Sequence, residues 1–221
     1  MISPTEISPS GAIESYLAER GISEVRHFTT NRGLAGILAM QALLSRKQLP
    51  EEAYIEHIFT PNCDTRKDRK YLDTISLSIS RINAAFFSIC SGAWHANSDV
   101  WWVILGFEPV TLASPGVIFT TTNNIYSNVK RGEGVEALSM LFADEIRPFN
   151  PPPLKIIRRT NQPVDCPTDP QAEALYPQSL STEHLRRIYV RFPEHEEKVA
   201  ATMDAVGHPS VEIKYDPEAF R

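Results

Sequence analysis

The sequence predicts an α+β fold, and three observations carry that expectation. TISLSIS at 74–80 alternates apolar Ile75, Leu77 and Ile79 with serines, the period of a half-buried strand. VWWVILGF at 100–107 is continuously apolar, as a central strand covered on both faces would be. Helical stretches fall between strands without a strict βαβ alternation, and neither a GxGxxG loop nor a GxxxxGK[ST] loop is present. A dinucleotide-type glycine loop and a P-loop are therefore both excluded.

Taken in order, Ser8 or Ser10 can cap a short helix over 11–20, stopped by Gly21. EVRHF at 24–28 reads as a short strand. Thr29 or Thr30 can cap the helix that follows, over 31–44, where Leu34, Ile37, Leu38 and Leu44 lie near one face. The polar segment 50–73 reads as a long loop with short helical pieces, and long irregular segments in compact domains tend to be functional. After the strand at 74–80 come a helix over 82–92, the apolar strand, a β-rich piece at 116–123 and an amphipathic helix over 132–146. PFNPPP at 148–153 is a stiff extended connection. Strands are expected at 171–175, 187–192 and 210–215, with a helix over 193–206 that opens on Pro193 and stops at Gly207.

The chain of 221 residues, 42% hydrophobic, suffices for one core, so a single domain over 1–221 is expected, with 1–23 as an N-terminal extension bearing a short helix. With 22 basic and 27 acidic residues the net charge is -5, so a nucleic-acid partner would have to be held by a local patch. Basic residues cluster at 65–70, 155–159 and 186–187. No apolar run reaches the ~20 residues that span a bilayer, and the first residues lack the pattern of a signal peptide, which together point to the cytoplasm. Cys63, Cys90 and Cys166 are odd in number and widely separated, against a disulfide framework and a zinc site; no metal is expected. Cys90 reads as a small core residue.

Three places carry chemistry. On a strand, Gln171 and Glu173, two apart, would project side by side, a neutral amide next to a carboxylate. Such a carboxylate can accept a hydrogen bond from a sugar hydroxyl and stabilise an oxocarbenium-like transition state, while the amide contacts a second substrate. Spacing taken by itself fits the solvent face of an edge strand better. His27, followed by hydroxyls in HFTT, can hydrogen-bond a ribose, although a histidine at a strand end is more often structural. Arg69, ahead of the serine-rich strand, can hold a pyrophosphate or orient an acceptor through its fork of donors, and Arg66 competes for that role.

The joint order of HFTTNRGLAGIL at 27–38, DRKYLDTISLSI at 68–79 and TDPQAEAL at 168–175 resembles the ADP-ribosyltransferase fold, most closely the DarT family of DNA ADP-ribosyltransferase toxins. That resemblance implies a split mixed or antiparallel sheet flanked by helices. It implies NAD as co-substrate, transfer of ADP-ribose to thymine or guanine in single-stranded DNA, and a macrodomain antitoxin of the DarG kind as partner. Glu173 matches the catalytic glutamate and Arg69 the catalytic arginine. His27 and Thr29 match the NAD-contacting motif, Ser78 is a further cofactor-binding candidate, and a helix aromatic, Phe87 or Phe86, flanks the nicotinamide. Gln171 would read the acceptor base. Asn123, Lys130 and Arg131, with Arg66, Lys67 and Lys70, are the candidates for the DNA path. Transfer to RNA or protein, a non-catalytic NAD- or nucleic-acid-binding module, and a simple NAD glycohydrolase are the alternatives.

Overall fold

The computed structural model describes residues 8–49, 69–94, 99–148 and 154–221. Helix α1 (Pro9–Arg20) is capped by the Ser8 side chain, which accepts from the Gly11 amide, and ends at Gly21 with φ 67°. It buries Ile13 and Leu17 in the main core, so the expected N-terminal helix is part of the packed body. Strand β1 (Val25–Thr30) leads directly into α2 (Asn31–Met40), whose Thr30 cap accepts from the Gly33 amide. The helix expected to reach residue 44 stops earlier. Gln41 turns left-handed at φ 52°, and Ala42–Leu44 becomes β2, drawn into an antiparallel pair with β10 (Ser179–Ser181). A local helical period here loses to strand pairing with a segment far away in sequence.

Beyond a 3-10 turn at Arg69–Tyr71 come β3 (Thr74–Ile79), α3 (Ala84–Ile89) with a π-helical turn Cys90–Trp94, and β4 (Trp102–Phe107). Then follow β5 (Ile118–Thr120), β6 (Arg131–Gly132), α4 (Gly134–Met140), β7 (Glu145–Ile146) and β8 (Ile156–Ile157). The helix expected over 132–146 is thus shorter, because Glu145–Ile146 pairs with Ile156–Ile157 instead. The chain closes with β9 (Glu173–Pro177), β10, β11 (Leu185–Val190), α5 (Glu194–Val206) and β12 (Glu212–Tyr215).

Eight strands form one sheet in the order β12-β11-β4-β1-β3-β9-β5-β6, antiparallel throughout except for the β11–β12 pair. Its two halves are joined weakly. β1 pairs with β4 over six residue pairs and β3 with β9 over four, but β1 and β3 share only Val25–Ile79 and Arg26–Ser78. Past that point the halves part, which gives the expected split in the sheet. One face carries the main core, with Leu34 and Leu38 of α2 and Leu138 of α4; a second cluster, Ile82, Phe87, Ile104, Tyr189 and Phe220, covers the other face. Cys90 is buried, and that burial pushes its thiol up to about 12, as befits an inert core residue.

Candidate active site

His27 stands where the halves part. Its Nδ1 lies 3.0 Å from the carbonyl oxygen of Ser76 on β3, at a level where no β1 backbone pairs with that strand. A carbonyl only accepts, so Nδ1 carries the proton and the neutral ring keeps Nε2 as an acceptor. Burial lowers the pKa of His27, with the Ser76 bond pulling the other way. Thr29, two residues on, sets its hydroxyl against Gly33 at the start of α2; a Cβ at Gly33 would collide with it.

Glu173 opens β9 opposite Thr120 of β5. Its Oε2 accepts from the Asn124 amide at 3.3 Å, and its carbonyl accepts from the Thr120 hydroxyl at 3.2 Å. Ser78, half-buried on β3, is one step beyond the Leu77–Ala174 pair, and so lies beside Glu173 in the sheet. Gln171 does not share the strand, contrary to the sequence expectation. The segment Asp169–Ala172 is a turn with Pro170 at its second position, closed by the Ala172 amide on the Asp169 carbonyl at 3.0 Å. The Asp169 carboxylate accepts from the Gln171 amide at 2.8 Å, which occupies that amide locally and keeps it out of the ladder. Gln171 Oε1 accepts from the Tyr126 hydroxyl at 3.1 Å. Asp169 is fully buried, and burial raises its pKa, the Thr122 hydroxyl and then the Gln171 amide opposing. Thr168 anchors the turn to the end of α4, its amide donating to Leu141 and its hydroxyl to Ala143. Arg158 braces it from below through the Cys166 and Pro163 carbonyls and the Thr168 hydroxyl.

The remaining candidates divide. Phe87 is only 3% exposed and packs edge-on to Phe28 and Trp102, so it is a core residue and cannot present its ring to a cofactor. Phe86, half-buried, meets Phe28 at 5.9 Å and is the aromatic of that helix nearer the surface. Asn123 Oδ1 accepts from the Ile125 amide, and its carbonyl accepts from that of Tyr126, so it shapes the 123–126 turn. Lys130 is exposed. Arg131 donates to Asn124 and sits 5.4 Å from the Tyr71 ring, in the same 3-10 turn as Arg69. The backbone of Arg69 is thereby placed on this side of the sheet; its side chain, and Arg66 and Lys67, lie outside the described residues. Lys70 is exposed in that turn.

Sequence reasoning missed Asn124, Tyr126 and Asp169. Asn124 follows another asparagine, and no spacing separates one from the other; Asp169 was legible only as a turn former. No group of three or more histidine, cysteine or acidic side chains suited to a metal ion occurs among the described residues, nor does a helix long and apolar enough to cross a membrane.

Among known proteins, Thermus sp. 2.9 DarT in complex with NAD+ has a similar structure, with a TM-score of 0.63 at 15% identity over 90% of this chain and 98% of that one. The same Thermus protein in complex with ADP-ribosylated ssDNA gives 0.64 at 16%, over 91% and 97%. Thermosipho africanus DarTG in complex with ADP-ribose gives 0.58 at 14%, over 90% of this chain and 51% of that one. No functionally curated protein matches the sequence. The family model described as "ssDNA thymidine ADP-ribosyltransferase, DarT" matches residues 26–221, nearly the whole chain, and the protein belongs to the DarT family.

Proposed function

We propose that the protein cleaves NAD at the nicotinamide bond and transfers the ADP-ribose to a base of single-stranded DNA, with Glu173 as its catalytic carboxylate. The observation that carries this reading is the placement of Glu173 beside Ser78, with its Oε2 held by the Asn124 amide at 3.3 Å, in a chain of the DarT family. Nicotinamide leaves as a neutral molecule and needs no proton. What the reaction needs is a ribose held in place while positive charge grows at C1′ and its ring oxygen, and a fixed carboxylate on the 2′-hydroxyl supplies both.

His27 holds the cofactor in this account. Its Nε2 accepts from a ribose hydroxyl because Nδ1 is committed to Ser76. Thr29, Ser78 and Phe86 complete that wall, and the N-terminal end of α2 behind Thr30 favours a phosphate group there. Arg69 acts with Glu173 on the reacting groups. Gln171, held at Oε1 by Tyr126, has its amide NH2 left to donate to an acceptor on the base. The family description names thymidine, and thymine, with two carbonyl oxygens, suits a donor of this kind. Lys130 and Lys70, both exposed, are the cations this reading assigns to the incoming strand.

In this reading the protein is a toxin that acts in the cytoplasm, opposed by a macrodomain antitoxin that removes the ADP-ribose; the family match and the name of the Thermosipho africanus protein suggest such a pairing. NAD labelled in its adenylate moiety, offered with separate pools of single-stranded DNA, RNA and protein, tests the acceptor. Label on the DNA supports the reading. Label confined to RNA or protein, or nicotinamide release that ignores every pool, refutes it.

A further inference from the structure

Arg131, Thr120 and Glu173 form one row across three strands: Thr120 of β5 pairs with Arg131 of β6 on one side and with Glu173 of β9 on the other. Residues directly opposite in antiparallel pairs project to the same face, so Arg131 and Glu173 point the same way with one small side chain between them. The Thr120 hydroxyl donates to the carbonyls of Thr122 and Glu173. Asn124, buried, links the two ends of the row. Arg131 Nε donates to Asn124 Oδ1 at 2.6 Å and Arg131 Nη2 donates to the Asn124 carbonyl at 2.6 Å. The amide of the same asparagine then donates to Glu173 Oε2 at 3.3 Å.

The fork is specific. A guanidinium has only donors, so the atom of Asn124 facing Nε is its oxygen, and Nδ2 is turned inward, buried and without a hydrogen-bond partner among the described residues. An asparagine free to choose would not leave that donor unpaired; the two charge-assisted bonds from Arg131 hold it so. With side chain and carbonyl both gripped, the Asn124 backbone amide has a fixed direction, and that direction is the carboxylate of Glu173.

We propose that Arg131 is a positioning residue for the transfer reaction, acting through Asn124 to set the Glu173 carboxylate, and is not one of the cations that collect DNA phosphates. The inference rests on the reading of Glu173 as the catalytic carboxylate. Lysine separates the two roles, since it keeps the charge a phosphate needs and lacks the planar fork Asn124 needs.

The test compares the full-length chain with Arg131→Lys, Arg131→Ala and Glu173→Gln, measuring kcat at saturating NAD and oligonucleotide, KM for each, and the salt dependence of oligonucleotide binding. The expected result for Arg131→Lys is a folded protein whose kcat drops about 10- to 100-fold, the scale of a slightly misplaced catalytic group. KM for NAD and for the oligonucleotide should stay within about two-fold, with the salt slope unchanged. Added methylguanidinium should restore part of the kcat of Arg131→Ala. Wild-type kcat in Arg131→Lys overturns the proposal. So does a defect of Arg131→Ala confined to a raised KM for the oligonucleotide, repaired by lysine, with a salt slope smaller by about one. Unfolding of both variants overturns it as well, by making Arg131 a structural residue. An active Glu173→Gln instead defeats the reading of Glu173, whereas an inactive Glu173→Gln beside a fully active Arg131→Lys defeats only the clamp.

Discussion

His27 Nδ1 lies 3.0 Å from the Ser76 carbonyl oxygen, across the point where the two halves of the sheet part. The imidazole takes the place of a ladder hydrogen bond that β1 no longer offers to β3. In the proposed reading, a structural link and the acceptor for the ribose are therefore the same side chain.

A pH dependence follows from that arrangement. Burial lowers the His27 pKa below its ordinary 6.5, and His195, stacked on Trp101 at 4.0 Å, is lowered by burial too, with Lys198 adding to it. Between 6.5 and the folded values the unfolded chain takes up protons that the folded chain refuses, so stability is full above that window and falls as pH drops through it. In the folded enzyme, protonation of His27 turns its acceptor Nε2 into a donor. KM for NAD should rise on the acid side with an apparent pKa below 6.5, and His27→Gln should lose that limb while retaining a weaker, pH-independent affinity. Initial rates over pH 5 to 8, together with thermal melts, check both.

Gly106 should tolerate no side chain. It faces Arg26 in the β1–β4 ladder directly beneath the Glu24 carboxylate, which a Cβ would overlap. Glu24 cannot simply swing away: its Oε2 accepts from Arg26 Nε at 2.8 Å and from the Tyr189 hydroxyl at 2.7 Å, in a setting where Glu24 is 7% exposed. Gly106→Ala should cost about 1–3 kcal/mol in urea denaturation, through overpacking and loss of that pairing. An unchanged midpoint would mean that the carboxylate has another home.

Asp169 separates hydrogen bonding from charge. Its carboxylate accepts from the Gln171 amide, and its raised pKa means that ionisation in the folded state costs stability as pH rises above the ordinary 3.8. Asp169→Asn keeps an acceptor and removes the buried charge, so its melting temperature at pH 7 should equal or exceed wild type, with the difference closing toward acid. Asp169→Ala loses the acceptor and should cost about 1–2 kcal/mol. It should also impair transfer by loosening Gln171.

Tyr126 should affect how the reaction divides. Tyr126→Phe removes the hydroxyl that donates to Gln171 Oε1, so the amide is free to flip and its donor no longer faces the base. Transfer to DNA should then fall several-fold more than total nicotinamide release, since the carboxylate is untouched. Product analysis by chromatography, with free ADP-ribose and modified oligonucleotide quantified together, reads that ratio directly.

The strands were legible where burial imposed a clear period. TISLSIS and the apolar run at 100–107 were found within two residues, the first because one face of its strand is packed and the other is not, the second because both faces are covered. Ser8, Thr30 and Gly21 were legible as helix caps because capping is a local bond. Helix ends at Met40 and Met140 were not, since each helix gives way to a short strand that pairs elsewhere, Ala42–Leu44 with the distant Ser179–Ser181 and Glu145–Ile146 with Ile156–Ile157. The same division holds in the site. Glu173 and His27 stand on strands that the sequence marks, whereas Asn124 and Tyr126 act from a loop whose folding back over Thr120 has no periodic signature. Phe87 went astray because two adjacent aromatics on one helix differ only in which face the core covers.

The most direct test of the central claim is mass spectrometry of a single-stranded oligonucleotide with one thymine among adenines and cytosines, after incubation with NAD and either the wild-type protein or Glu173→Gln. Wild type should add one ADP-ribose, mapped to the thymine, and the folded variant should add none. An equal yield from Glu173→Gln would contradict the role given to Glu173, and a wild-type protein that leaves this DNA unmodified while consuming NAD would contradict thymine as the acceptor.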